Sequence, residues 1–358
     1  MRRAIVVTLM LLLLSPAALA ADQGKGQGPK LTVMTQNLYF GFDSLALITA
    51  LQTGNPGVIL LAVKKAFDAV LASDFHARAQ AIADQVARTK PEVIGLQEVS
   101  LFRSQDPADF LPIPNATHVE MDFLQILLSA LAARGLEYDP VAVIQNVDSE
   151  TPALRDDFTC CREIRFTDFE VILARRGVVH VLDVQQQTFS TNVTIPLPTG
   201  SFTARAGWVA IDAKIHGRVV RVVSTHLEPI SPPVQIAQAL ELLSGPAQTT
   251  LPLIMLGDFN SAADGSTTAT YGLLTAAGLV DTWNAAHPGD PGPTCCQAAD
   301  LLNPASTLSE RIDIVFTRGE FTVLDSEIVG EELDDRTPAG LWPSDHAGVV
   351  STLRLPRK

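Results

Sequence analysis

Polar residues that could bind a cation or transfer a proton recur directly after short apolar runs, or just before one. They are carboxylates, amides and imidazoles, and the candidates are Asn37, Glu98, His226, Asp258, Asn260, Asp313, Asp345 and His346. An apolar run that forms a strand delivers its neighbouring polar side chains to the end of a sheet, where clefts form. Each residue alone has a structural explanation, since Asp and Asn at strand ends close turns and cap helices. Together they suit a centre that binds a hard cation through carboxylate oxygens and transfers a proton through imidazole near neutral pH.

The order of these residues resembles that of the endonuclease/exonuclease/phosphatase superfamily, which includes pancreatic-type DNases, abasic-site nucleases, neutral sphingomyelinases and inositol-polyphosphate phosphatases. The matching segments are Thr35-Gln36-Asn37-Leu38, Gly95-Leu96-Gln97-Glu98-Val99, Ser224-Thr225-His226-Leu227, Gly257-Asp258-Phe259-Asn260-Ser261, Arg311-Ile312-Asp313 and Ser344-Asp345-His346. They run in the family's order from about residue 31 to the end of the chain. A single Gly-Asp-x-Asn segment would be a weak signal, whereas six in register are specific.

The resemblance implies a site for a divalent cation. Glu98 is the first expected ligand, Asn37 supplies a neutral oxygen nearby, and Asp345 joins them. Mg²⁺ is the expected cofactor, with Mn²⁺ or Ca²⁺ as alternatives, because a hard cation neutralises the charge of the phosphate oxygens. Arg165 and Arg175 fall where relatives place phosphate-contacting side chains, although a salt-bridged surface arginine is the competing interpretation.

The resemblance also implies the groups that move protons. His346 is the expected general base or water-orienting group, and Asp313 holds its tautomer. Asp258 polarises the attacking water, and Asn260 donates hydrogen bonds to a phosphoryl oxygen as charge accumulates there. His226 protonates the leaving group or stabilises the pentacovalent phosphorus.

Strand-length apolar runs alternate with helical patterns along the chain. Strands are predicted around 31–34, 93–96, 170–173, 219–223, 253–256, 312–316 and 347–350, and helices over 77–89, 121–133 and 234–243. Several of the strands are unbroken in apolarity, which is typical of buried sheets in an α/β fold. The resemblance makes the expected fold a four-layered α/β sandwich of DNase-I type, with two packed mixed sheets flanked by helices.

One long apolar stretch, residues 45–70, is interrupted by Gly54-Asn55-Pro56-Gly57 and predicts two helices joined by a turn. We treat residues 43–72 as an insertion in a domain that spans 30–358. The stretch could cover the core or a sheet edge, or it could form a lid or a lipid-facing lobe.

The N-terminus has the pattern of a secretory signal peptide. Arg2 and Arg3 precede an apolar run over 4–14, and small residues lead to Ala20, after which we expect cleavage. A retained anchor is the alternative, but the run is short for a bilayer. Residues 21–29 are Gly- and Gln-rich and predict a flexible leader. The mature protein is therefore expected to be secreted or periplasmic.

Two cysteine doublets, Cys160-Cys161 and Cys295-Cys296, are expected to form disulfides in an exported chain. Neighbouring Cα atoms lie about 3.8 Å apart, below the usual disulfide range, so pairing between the doublets is favoured over pairing within them. A zinc site is disfavoured, since no Cys-x-x-Cys spacing is present.

Three functions remain open at this level. The first is an endonuclease-like phosphodiesterase acting on nucleic acid; the formal net charge of −13 argues against a broad basic surface but not against a local cation site. The second is a phospholipid phosphodiesterase of sphingomyelinase type, or a phosphatase; the inositol-phosphatase branch is disfavoured because Arg311-Ile312-Asp313 lacks a preceding Trp-Cys. The third is a catalytically silent binding module. A monomer without a stable protein partner is expected.

Overall fold

The computed structural model describes residues 28–198 and 200–355. The predicted signal peptide and most of the predicted leader lie outside these residues. The strands, numbered along the chain, are β1 Lys30–Asn37, β2 Val93–Gln105, β3 His118–Asp122, β4 Tyr138–Leu154, β5 Cys160–Arg175, β6 Val179–Thr188, β7 Val193–Leu197, β8 Gly200–Ala204, β9 Gly207–Ile215, β10 Arg218–His226, β11 Leu253–Asp258, β12 Val280–Asp281, β13 Asp313–Arg318, β14 Thr322–Val329 and β15 Gly348–Arg354.

Helices flank the strands. They are α1 Ser44–Gln52, α2 Pro56–Ala72, α3 Phe75–Thr89, α4 Phe123–Ala132, α5 Pro232–Ser244, α6 Thr270–Ala276 and α7 Thr282–Ala286, with a 3₁₀ turn over Leu333–Asp335. All predicted helices and strands are confirmed as elements. Within the described residues, none of these helices combines the length and apolarity that crossing a bilayer requires.

Two large mixed sheets form the frame of the molecule. A seven-stranded sheet has the order β14-β15-β1-β2-β5-β4, with β3 paired to β2, and a six-stranded sheet has the order β12-β13-β11-β10-β9-β6. The strands β7 and β8 form a separate hairpin. In each large sheet two central strands are parallel, β1 with β2 and β10 with β11.

The sheets are packed face to face because their central strands are apolar on both sides. Along β1, Val33 enters the cluster between the sheets, and Met34 enters the cluster under the outer helices. On β11, Ile254 likewise lies in the cluster between the sheets, and Met255 lies in the cluster on the outer face of the second sheet. Side chains of a strand alternate between faces, so a strand buried on both must be apolar throughout. Helices outside both sheets complete the four-layered α/β sandwich, and the predicted fold class is confirmed.

The predicted helical insertion is present and covers the sheet. Asn55 caps α2 through its side chain, which accepts from the backbone N–H of Gly57 at 3.0 Å. Val63, Phe67 and Val70 of α2 are buried in the cluster outside the seven-stranded sheet, each worth about 1.5–3 kcal/mol of burial. α2 packs against β4, the edge strand, which agrees with the interpretation of the stretch as a cover.

The predicted disulfide pairing between the doublets is wrong. The structure joins Cys160 to Cys161 and Cys295 to Cys296. The doublets lie on different segments: Cys160 is paired with Leu154 of β4, whereas Cys295 forms a backbone bridge with His346. Each doublet thus crosslinks only within itself.

Candidate active site

Strand register brings the catalytic candidates of the six-stranded sheet side by side. His226 at the end of β10 is the Cα partner of Asp258 on β11, and Asp258 is the partner of Asp313 on β13. Gly257 makes the close pairing possible: its φ of +149° is unfavourable for other residues, and a Cβ there would collide with the carbonyl oxygen of Thr225. Three residues far apart in sequence therefore form one row at the end of this sheet.

The opposite sheet contributes Asn37 and Glu98. Asn37 is the last residue of β1 and Glu98 lies within β2, and the parallel pairing of these strands places Asn37 beside Gln97. A bulge between Leu96 and Val99 interrupts the pairing with β5, and Glu98 has φ +57°, so its side chain is redirected towards the sheet end. Asn37 Nδ2 donates to Glu98 Oε1 at 3.0 Å and to Asp258 Oδ2 at 3.2 Å. One buried amide thus links the two sheets.

His346 is held by a buried carboxylate. Its Nδ1 lies 2.8 Å from Asp313 Oδ2 and 3.8 Å from Asp258 Oδ2, and all three residues are buried. Thr294 Oγ1 accepts from the backbone N–H of Asp313 at 3.1 Å and so holds the start of β13. Burial lowers the pKa of His346, but the charges of Asp313 and Asp345 outweigh it and raise that pKa well above its ordinary value. The structure brings together the His346–Asp313 pair expected from the sequence.

His226 lies at the opposite end of this row from Asp313, next to Asp258. Its Nε2 lies 3.5 Å from Asp258 Oδ2, and its Nδ1 lies 3.8 Å from Glu170 Oε1. Burial lowers the pKa of His226 and outweighs the opposing charge of Glu98. The two pKa values are therefore shifted in opposite directions: with no cation bound, the surroundings favour the protonated form of His346 and the neutral form of His226.

The remaining predicted residues, Asp345 and Asn260, are only partly buried. Burial raises the pKa of Asp345. Asn260, with φ +49°, sits where its Nδ2 donates to the carbonyl oxygen of Leu227 at 2.8 Å, while its backbone N–H donates to Asp258 Oδ1 at 2.9 Å. Asn260 thus fixes the loop around Asp258, and its predicted contact with substrate stays a prediction.

The model of the Endonuclease/Exonuclease/phosphatase family matches residues 34–346 of this chain. The chain belongs to that family. Its members are hydrolases that act on phosphoester bonds and typically depend on a divalent metal. No curated protein sequence matches the chain significantly.

Solved structures of family members show the same fold. An endonuclease/exonuclease/phosphatase from Bacteroides vulgatus has a TM-score of 0.54 at 17% identity, covering 92% of this chain and 100% of that one. D. rerio TDP2 complexed with single strand DNA product has a TM-score of 0.53 at 16% identity, covering 91% and 99%. A mannosyl-6-phosphatase of Bacteroides thetaiotaomicron has a TM-score of 0.50 at 15% identity, covering 91% and 100%.

The carboxylates of this family member fit a divalent cation. Burial, followed by the charge of Asp345, raises the pKa of Glu98 to about 7, and burial and the charge of Asp313 raise that of Asp258 to about 7. Such uncompensated negative charge favours a bound cation, and the oxygen donors suit Mg²⁺. Glu98 and Asp345 would hold the ion. Asn37 directs Nδ2 to the carboxylates, while its Oδ1 accepts from the N–H of Tyr39 at 2.9 Å, so its predicted ligand role stays a prediction.

Arg78 is a buried residue beside the site that sequence reasoning missed. Its guanidinium donates to the carbonyl oxygens of Leu38 at 2.6 Å and Pro343 at 3.1 Å, which flank Asn37 and Asp345 in sequence. Burial lowers its pKa to about 10, so it stays charged at neutral pH. A signal was available, since Arg78 falls on the apolar face of α3. Arg78 positions the two segments that carry the predicted metal ligands.

Glu170 was also missed, because it belongs to no motif and directly precedes the apolar end of β5, residues 171–174. It is fully buried next to His226, and neither of its carboxylate oxygens has a hydrogen-bond partner within the described residues. Asp168, two residues earlier, accepts from Asn146 Nδ2 at 3.1 Å. Burial raises the pKa of Glu170 well above its ordinary value and that of Asp168 to about 8. A carboxylate between apolar strand residues was the available signal.

Neither arginine predicted to contact phosphate is free in the site. Arg165 forms a bidentate pair with Asp148, with Nη2 2.6 Å from Oδ2. Arg175 is at the other end of β5, about 17 Å beyond Glu170 at about 3.4 Å per residue, and donates to the carbonyl oxygen of Lys90. The structure therefore does not bring Arg175 to the site, and Arg165 takes the competing, salt-bridged role.

Proposed function

We propose that this protein is an exported, Mg²⁺-dependent phosphodiesterase that cleaves nucleic acid. The observation that carries the proposal is the buried His346–Asp313 pair, 2.8 Å apart, which faces His226 across Asp258. Two imidazoles on either side of a carboxylate are placed to take a proton from water and to deliver one to a leaving alkoxide. Hydrolysis of a diester requires both transfers.

In this proposal His346 accepts the proton of the attacking water through Nε2, because Asp313 occupies its Nδ1. The carboxylates that raise the pKa of His346 include Asp345, whose charge a cation held with Glu98 would offset. The pKa of His346 would then fall towards the range in which imidazole is an effective base. The cation, when bound, supplies Lewis-acid stabilisation of the phosphoryl oxygens.

His226 is proposed to donate a hydrogen bond to an oxygen of the pentacovalent phosphorus through the N–H that a neutral imidazole keeps, or to protonate the leaving oxygen when it is in its charged form. His226 is only partly buried, so it can meet a substrate. Asp258, between the imidazoles, orients the water. Nucleic acid is the preferred substrate because D. rerio TDP2, described with a single strand DNA product, has the same fold. The His at position 226 resembles both the DNase and the sphingomyelinase branches and does not choose between the two candidates.

Phospholipid is the second candidate, and a group of exposed apolar side chains favours it. Phe110, Leu111 and Ile113 are exposed in the segment after β2, and Phe158 is exposed at the turn between β4 and β5. The two segments adjoin, since the N–H of Ala108 donates to the carbonyl oxygen of Cys161. Exposed apolar groups of this kind suit contact with a membrane interface.

The test uses purified protein without residues 1–20 on single- and double-stranded DNA, RNA, sphingomyelin vesicles and a bis-aryl phosphate. Each is assayed with EDTA, and then with Mg²⁺ added in excess. We expect cleavage of nucleic acid that EDTA abolishes and Mg²⁺ restores. Activity that survives chelation would exclude the metal mechanism, and cleavage of sphingomyelin alone would move the assignment to the second candidate.

A further inference from the structure

The Cys295-Cys296 doublet lies beside the central imidazole of the site. Cys296 Sγ is 3.9 Å from His346 Nε2, and one ligand atom from each of Cys295, Cys296 and His346 lies within 4.8 Å of the other two. Backbone pairing fixes this arrangement, because Cys295 bridges both Glu310 and His346. Cys295 is buried, whereas Cys296 is exposed, so solvent reaches the sulfurs.

The imidazole of His346 is oriented so that the ring nitrogen facing the sulfurs can bind a cation. Its Nδ1 is occupied by Asp313 at 2.8 Å, which leaves Nε2 towards Cys296. A carboxylate on the other ring nitrogen is the usual support for a metal-bound histidine. Thiolate and imidazole ligands select soft or borderline cations such as Cd²⁺ and Zn²⁺, unlike the oxygen ligands around Glu98.

We propose that reduction of the Cys295–Cys296 disulfide creates a second cation site, formed with His346, that takes a soft divalent cation and inhibits the enzyme. A small dithiol supplies two electrons and two protons to the sulfur–sulfur bond, which becomes two thiols, and the dithiol closes to a cyclic disulfide. Cation binding then releases the thiol protons to solvent. Inhibition follows because the cation occupies Nε2 of His346. The claim of inhibition rests on the proposed function of His346 as the base, whereas the claim of cation binding does not.

The other doublet provides a matched control. Full-length mature protein is reduced with a dithiol, and the dithiol is then removed under anaerobic conditions. The protein is titrated with Cd²⁺ in excess Mg²⁺, and binding is followed by the ultraviolet thiolate-to-cadmium absorption. We expect one Cd²⁺ per chain for the reduced protein and for Cys160→Ala/Cys161→Ala. The Cys295→Ala/Cys296→Ala variant and the oxidised protein should bind at least about tenfold more weakly.

Binding that persists in Cys295→Ala/Cys296→Ala, or is lost in Cys160→Ala/Cys161→Ala, would overturn the site. So would the absence of binding in reduced protein in which all 4 thiols are counted with a thiol reagent. Because Cys295 is buried, Cys296→Ser serves as a milder variant, and it should also bind at least about tenfold more weakly while keeping the native circular dichroism spectrum.

Phosphodiesterase activity is measured in parallel. Cd²⁺ should abolish most activity of the reduced enzyme, and added dithiol chelator should restore it. Cadmium binding without inhibition would overturn the inhibitory part. A protein that binds Cd²⁺ at this doublet but cleaves none of the test phosphodiesters would support the site and contradict the proposed function, so the two failures are distinguishable.

Discussion

Replacement of Asp313 by Asn removes the charge that holds His346 while preserving the shape of the side chain. The Asp313–His346 contact is 2.8 Å and buried on both sides, so water cannot replace the lost partner. A hydrogen bond to a charged group contributes about 1.5–3 kcal/mol, which corresponds to about 10-fold to 150-fold in rate. An amide also permits the wrong histidine tautomer, and loss of the corresponding Asp in a Ser-His-Asp triad lowers kcat by about 10⁴-fold.

We therefore expect Asp313→Asn to lower kcat by about 10³-fold to 10⁴-fold with little change in KM, since His346 acts in the transition state. The assay is steady-state kinetics on the best substrate of the panel, in saturating Mg²⁺. Asp212→Asn is the control: it also removes a charge from a close ion pair, with Arg221 at 2.6 Å, but on β9, away from the site.

The reasoning would be refuted by an Asp313→Asn enzyme that unfolds at the same urea concentration as the parent and keeps kcat within about threefold, well short of the loss of even one charged hydrogen bond. A large loss in Asp212→Asn as well would show that the effect reports general destabilisation. The first outcome would show that His346 does not work through Asp313. The second would show that the fall in kcat is no evidence for the Asp313–His346 contact.

Three further predictions concern groups outside that pair. Arg78→Met should lower the free energy of unfolding by more than about 3 kcal/mol, measured by urea denaturation, because it leaves several buried carbonyl oxygens without a donor; an unchanged midpoint would contradict its positioning role. Asp168, with a pKa raised by burial to about 8, keeps in the folded state a proton that the unfolded chain releases near pH 4. The protonated Asp168 thus stabilises the fold below about pH 4, and this contribution is lost as the pH rises to about 8. Over that range it lowers the free energy of unfolding by about 1.4 kcal/mol per pH unit. Urea denaturation at several pH values should show that Asp168→Asn lacks this slope, and identical slopes in the two proteins would exclude the contribution. Arg175→Ala should leave kcat/KM within about twofold, as for a surface substitution, and a loss of tenfold or more would return it to the site.

Much of the frame could be predicted because its central strands are apolar on both faces. β1, β10 and β11 show this pattern, and their ends carry Asn37 and Asp258. The long strand β4 was not predicted, since it carries Pro140 and polar residues and lies at a sheet edge, where proline is tolerated and one side needs no apolar cover. Apolar runs therefore find most of the central strands, but the internal strand β9 was missed as well as the edge strand β4.

The site was predictable where residue type and order carry the information, and not where it depends on burial. Asp313 and His346 stand in recognisable motifs, and the structure places them 2.8 Å apart. Arg78 and Glu170 belong to no motif; each interrupts an apolar pattern, but the sequence does not show that they are buried beside those residues. Conversely, Arg175 matched the loose pattern for a phosphate-contacting arginine. Its distance from Glu170 and the site is known only once the bounds of β5 are known.

The position of β15 has a consequence for synthesis of the protein. This final strand lies between β14 and β1, and the residues just before it include His346. Chains emerge from the ribosome N-terminus first, so β1 can pair with β2 early but has to wait for β15 until residues 348–354 have been made. The nascent polypeptide therefore cannot assemble the candidate site before translation has passed His346.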